Sequence, residues 1–156
     1  MTIETRQLYT LGYQPTTLPR LAEWLKRERA LLADIRYLPW SKDSQWRQDA
    51  LQAALGAQYL HVRELGNPNY NNAEPMRLAD GRAGLRIIAE HLRQQPVVLM
   101  CACWNLDGCH RKLAAEYIRG EYASRNVPLE VVHLTAAMLR QQPASPVQLG
   151  LLEPPQ

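Results

Sequence analysis

Apolar positions recur along this chain in two periods, and the periods alternate. Gln7 to Leu11 is a short apolar run ending at Gly12 and predicts a first strand. Leu18, Leu21, Ala22 and Leu25 then recur at helical spacing, with Thr16 or Thr17 placed to cap them. Leu31 to Ile35 predicts a second strand, followed by a polar loop through Pro39, Ser41 and Lys42. Arg47 to Leu55 reads as a short helix with Ala50, Leu51, Ala54 and Leu55 on one face and Gly56 closing it. Gln58 to Val62 predicts a third strand. Gly81 to Gln94 predicts a helix with Leu85, Ile88, Ala89 and Leu92 inward, broken by Pro96. Val97 to Cys101 is the most apolar run, expected at the centre of a sheet and buried on both faces. A helix from Cys109 to Arg125 turns Leu113, Ala114, Tyr117 and Ile118 inward. Leu129 to Leu134 predicts a last strand, and Thr135 to Gln142 one short helix.

This alternation predicts an α/β fold. The expected form is a three-layer, Rossmann-like sandwich around a mainly parallel sheet of about five strands. Residues 1–142 read as one domain. The tail, 143–156, carries 4 of the 11 prolines and reads as loosely ordered. Ligands of such sheets bind beyond the carboxyl ends of the strands. That rule selects four segments: Gly12 to Pro15, Arg36 to Lys42, Arg63 to Tyr70, and Ala102 to Arg111. The irregular stretch from Arg63 to Asp80 holds Gly66, Pro68, Pro75 and Asn67, Asn69, Asn71 and Asn72. It reads either as a lid or binding loop or as a disordered insertion.

Composition bounds the class. A length of 156 residues suits one domain, and no apolar run reaches a membrane span. Met1 to Arg6 lacks the pattern of a signal peptide. Three cysteines cannot all pair, so reduced thiols in a cytoplasm are expected. The net charge of +3 is too small to announce nucleic acid, but it is made of 15 Arg and 3 Lys. Arginine suits forked recognition of phosphate and carboxylate, although codon bias produces the same excess.

The densest chemistry is Cys101-Ala-Cys103-Trp-Asn-Leu-Asp-Gly-Cys109-His110-Arg111, which contains all three cysteines. Asp107 as a helix N-cap would put Cys109 and His110 in the first turn, where free N–H groups favour an anion and lower a thiol pKa. Arg111 adds a cation. Cys109 or Cys103 then becomes a candidate nucleophile, with His110 or Arg111 assisting. Zinc is disfavoured: the C-x-C-x5-C-H spacing is not that of a knuckle, and adjacent Cys109 and His110 ligands strain a tetrahedron. Neither metal nor cofactor is expected. A small buried filler is the plainer reading for Cys101, whereas helix start, cation and thiol agree on a functional reading for Cys109-His110-Arg111. A phosphatase loop, Cys-x5-Arg, does not match. A rhodanese-like loop would use Cys103, but no Arg follows within it.

Asp34-Ile-Arg36 with Ser41 and Lys42 is a second cluster, because an Asp at the end of a buried strand needs a bond or a function. Local pairing of Asp34 with Arg36 is the alternative. Gly12 allows close backbone approach to a ligand. His61, His91 and His133 receive no role.

In order along the chain, Thr10-Leu-Gly12, Asp34-Ile-Arg36 with Pro39 and Ser41, Tyr59 to His61 with Leu65-Gly66, and Cys101 with Cys109-His110-Arg111 resemble domain of unknown function 488. The resemblance spans roughly residues 8 to 122. This chain departs at Tyr13, where that family often has His, and at Cys103, where it often has Glu. The resemblance implies an α/β fold and a shared polar site, and supplies no substrate.

The leading expectation is an enzyme or sensor for a phosphorylated small molecule or nucleotide. Cys109, His110 and Asp34 are its candidate catalytic groups. Gly12, Arg36, Ser41, Lys42 and Arg111 would bind the anion, with Cys103 as a further thiol. A nucleic-acid module using Tyr37, Trp40 and Trp46, thiol-dependent sulfur or phosphoryl transfer, and a docking domain using the Pro-rich tail are the alternatives.

Overall fold

In the computed structural model, which describes residues 4–140, Val97–Cys101 is the middle strand of a five-stranded sheet. The strands are β1 (Arg6–Gly12), β2 (Leu31–Asp34), β3 (Tyr59–His61), β4 (Val97–Cys101) and β5 (Leu129–Leu134). Their order is β3-β2-β4-β1-β5 and every pairing is parallel. β4 is buried throughout, as a strand covered on both faces must be.

Parallel neighbours need crossovers, and helices supply them. They are α1 (Leu18–Glu28), α2 (Gln48–Leu55), α3 (Gly81–Leu92) and α4 (His110–Ser124), followed after β5 by α5 (Ala136–Arg140). Thr17 caps α1 by accepting from the Arg20 N–H, and Asp80 caps α3 by accepting from the Ala83 N–H. Gly56 ends α2 at φ 55°, ψ −124°, a conformation that favours glycine.

Alternate residues of β4 divide between two cores. Val97, Leu99 and Cys101 pack with Leu85 and Ile88 of α3 and Ala114 and Ile118 of α4. Val98 and Met100 pack with Leu21 and Leu25 of α1, Leu51 of α2 and Leu139 of α5. This is a three-layer α/β sandwich, as the alternation predicts. The inward face of α4 differs from expectation: Leu113 is exposed and Tyr117 half-buried, while Arg111, Ala115 and Tyr122 are buried. The expected tail lies outside the described residues. No helix among the described residues is long and apolar enough to cross a membrane.

β1 and β4 are neighbours, with Gly12 opposite Cys101. The chain leaves β1 for the face of α1 and leaves β4 for the face of α4. The two exits diverge, and such a divergence opens a crevice at the carboxyl edge. The stretch after β3 forms its own bonded loop. Ala79 donates its N–H to Gly66 O and Asp80 to Glu64 O, joining the loop ends. Inside it, Asn67 Oδ1 accepts from the Asn69 and Arg77 N–H groups.

Candidate functional site

The carboxyl end of β2 carries a buried, saturated charge pair. Asp34 Oδ1 accepts from Arg36 Nε at 2.8 Å and from the Arg36 backbone N–H at 3.2 Å. Oδ2 accepts from Arg36 Nη2 at 2.6 Å and from Tyr59 Oη at 2.6 Å. Parallel pairing of β2 with β3 sets Leu32 opposite Tyr59 and Asp34 opposite His61, which brings the phenol to the carboxylate. Burial, then the charge of Asp34 and the hydrogen bond to it, push the Tyr59 phenol well above its usual value. Burial alone would lower the Arg36 guanidinium, but its bond to Asp34 and that charge outweigh burial and raise it. Arg36 Nη1 reaches Tyr13 Oη at 3.4 Å, and the guanidinium lies 5.4 Å from the Tyr13 ring centre. His61 Nε2 sits 2.7 Å from Arg36 O; a carbonyl only accepts, so this ring nitrogen carries the proton.

Arg111 lies in the first turn of α4 and is only 3% exposed. Its Nη1 donates to Thr10 Oγ1 at 2.9 Å and its Nη2 to Trp104 O at 3.3 Å. Thr10 Oγ1 also lies 2.7 Å from His133 Nδ1. The buried Nε of Arg111 has no acceptor among the described residues, nor has Arg111 a carboxylate partner there. Burial lowers the pKa of this guanidinium, and the charge of Cys103 works against that shift.

His110, the first residue of α4, donates Nε2–H to Ile35 O at 2.9 Å, which leaves Nδ1 unprotonated. Burial lowers its pKa despite that bond, so the ring is neutral near pH 7. A family model described as domain of unknown function DUF488 matches residues 17–118. The chain belongs to this family. No curated protein matches the chain, and no solved structure does.

The stretch matched to DUF488 holds Asp34, Arg36, Tyr59, His61, the three cysteines, His110 and Arg111. Thr10, Gly12, Tyr13 and His133 lie outside it, yet the fold brings them to the same edge. Gly12 does serve a close approach, but to its own chain: a Cβ there would stand 1.7 Å from Cys103 O. Tyr13 stacks on Trp46, with ring centres 4.5 Å apart.

Arg36, Tyr37, Trp40, Tyr70, Cys103 and His110 line a cavity of about 260 Å³ in this DUF488 domain. Ser41 and Lys42 do not line it. Ser41 accepts from the Asp43 N–H and from Arg47 Nε, and Lys42 is exposed. Asp107 is not the cap of α4. It lies in a 3-10 turn, Leu106–Gly108, capped by Asn105, and Cys109 holds the N-cap position without a side-chain bond. The Sγ atoms of Cys101 and Cys109 are joined and Cys103 is free, so Cys109 is no thiolate in this state. Burial pushes the Cys103 thiol up. Trp46 is 2% exposed and unavailable for stacking on a partner.

Thr10 and Tyr59 enter the sequence reading only as members of the pieces Thr10-Leu-Gly12 and Tyr59 to His61, without a role of their own. Tyr59 had a further signal, its place two residues before His61, which puts both on one face of a strand. His133 had none, because only the β1–β5 register sets it opposite Thr10.

Proposed function

We propose that this chain binds a nucleotide-like anion at the carboxyl edge of its sheet, as an enzyme or sensor for a phosphorylated small molecule. One observation carries the reading: Arg111 is a buried cation with an unused Nε–H and no carboxylate partner among the described residues. A buried donor without an acceptor is unfavourable by roughly 1–3 kcal/mol, more for a charged group. A phosphate oxygen would remove that penalty. The first turn of α4 adds unpaired N–H groups and the positive end of a helix dipole. His110 and Cys103 flank Arg111 in sequence or charge and line the aromatic cavity, where Tyr37, Trp40 and Tyr70 offer faces to a planar ring.

Roles differ from residue to residue. Asp34 already receives four donor contacts and serves to hold Arg36 and Tyr59 in place. Neutral His110, with Nδ1 unprotonated, is the group equipped to take a proton. The reading sets this activity in the cytoplasm, where thiols are kept reduced.

Calorimetry with nucleoside monophosphates and with inorganic phosphate tests the proposal. Saturable binding is expected, weakened about tenfold or more by Arg111→Ala, equivalent to ~1.4 kcal/mol. Equal affinity in that variant, or no saturable binding of any of these ligands, would overturn it.

Exposed aromatic rings support a second reading, a single-stranded nucleic acid surface. Trp40 and Trp104 are 53% and 69% exposed. Arg47 lies 5.1 Å from the Trp40 ring and Arg63 4.1 Å from the Tyr37 ring. Stacking rings beside cations suit bases and backbone. Binding of an oligonucleotide with no slope of log affinity against log salt would exclude it.

A further inference from the structure

Cys101 closes β4, Cys103 follows in the loop, and Cys109 caps α4. Their three sulfur atoms lie within 4.8 Å of one another. The nucleotide reading uses at most one of them. We infer that in the reduced chain these three thiols form a binding site for one divalent thiophilic cation, zinc by its chemistry, a site whose ligands are distinct from Arg111, on which the nucleotide reading rests.

Three features of the site agree. Sulfur is the ligand that thiophilic ions select, and Cys101 and Cys109 are buried in the core beside α3 and α4. The Cα atoms of Cys101 and Cys109 stand 7.8 Å apart, wider than the span a disulfide ordinarily bridges. Sulfurs carried by so wide a pair are better served by an ion between them. Charge is the third feature. Three thiolates, one divalent ion and the guanidinium of Arg111 leave no net charge in the buried cluster. Arg111 acts electrostatically on Cys103.

The spacing objection to zinc does not reach this site. It concerns adjacent Cys109 and His110 ligands, and His110 is not among the residues whose ligand atoms cluster. Three protein ligands are the set of a zinc ion that keeps one position open. Cys103 lines the aromatic cavity, whereas Cys101 and Cys109 do not.

The joined Cys101–Cys109 pair is the oxidised form of the same residues. A dithiol reductant supplies two electrons and two protons, becomes a disulfide itself, and breaks the S–S bond to give two thiols. With Cys103 these make three thiols, which release their three protons to solvent as the ion binds.

The full chain, reduced with a water-soluble phosphine and freed of oxygen, is titrated with cobalt(II) as a spectroscopic probe and then with zinc(II). The expected result is one cobalt per chain, with a near-ultraviolet sulfur-to-metal band that zinc abolishes. Cys103→Ser, at the half-buried position, should lower that band while circular dichroism keeps the fold of the parent. In the parent, zinc should also shield all three cysteines from alkylation, read by mass spectrometry. Absence of the sulfur-to-metal band in the reduced parent would overturn the assignment, as would an unchanged band and stoichiometry in Cys103→Ser.

Discussion

Tyr59 and Arg36 meet on one oxygen: Asp34 Oδ2 receives the phenol and the guanidinium, each at 2.6 Å. All this charge is buried. The ion pair is 6% exposed on the Arg36 side chain and 0% on Asp34. Removing one partner of a buried pair leaves the other uncompensated, which is destabilising by roughly 3–5 kcal/mol. Asp34→Ala should therefore fall in that range in a urea melt, and Tyr59→Phe by less, about 1–2 kcal/mol. If Asp34→Ala unfolded at the parent midpoint, the pair would hold nothing in place.

Gly12 has a different dependence. A methyl group there would collide with Cys103 O, which is backbone and cannot swing aside as a side chain can. Gly12→Ala should lose at least ~2 kcal/mol of stability. Because the displaced loop carries Cys103 and precedes Arg111, ligand affinity should fall beyond what the stability loss accounts for. Calorimetry under conditions where the variant remains folded separates the two effects.

Trp40 offers the opposite test. It is 53% exposed and lines the cavity, so Trp40→Ala should change folding stability little. If a base stacks there, nucleotide affinity should fall by ~1–3 kcal/mol while affinity for inorganic phosphate stays constant. An equal loss for both ligands would place the ring elsewhere.

His133 gives a pH signature. Its pKa is lowered, first by burial and then by the positive charges of Arg111, Arg119 and Lys112, against a smaller opposing effect from Glu116. The unfolded chain, with an ordinary histidine near about 6.5, therefore binds a proton before the folded chain does. Stability from this residue is fully present above that pH and is lost as pH falls through the lower folded value. His133→Gln keeps a hydrogen-bonding group for Thr10 and does not titrate. Its melting temperature should decline less between neutral and mildly acidic pH than that of the parent. Parallel declines would assign the acid sensitivity to other groups, with His110, also lowered by burial, the first to test.

The sheet is largely legible because strands buried on both faces write themselves as apolar runs. Leu129–Leu134 occupies the same residues in the pattern and in the structure, and so does β4. Half the site is legible for a second reason: an Asp ending a buried strand demands a partner, and Arg36 stands two residues on. What stays hidden follows from pairing across space. Arg111 is polar and at a helix start, where a long cation ordinarily reaches solvent, yet the loop after β4 covers it. Trp46 lies in a polar loop, yet Tyr13 draws it into the core. Asp107 fits a cap by type, and only the 3-10 turn before α4 moves that position to Cys109.

The all-parallel sheet has a consequence for how the chain is made. Thr10 waits for partners 101 and 123 residues downstream, Arg111 and His133. During synthesis the first strand emerges long before its neighbours in the sheet exist, and contacts so distant in sequence form slowly. The crevice is thus complete only once β5 has been made. A chain stopped before β5 carries every residue of the DUF488 match and still lacks His133, the partner of Thr10.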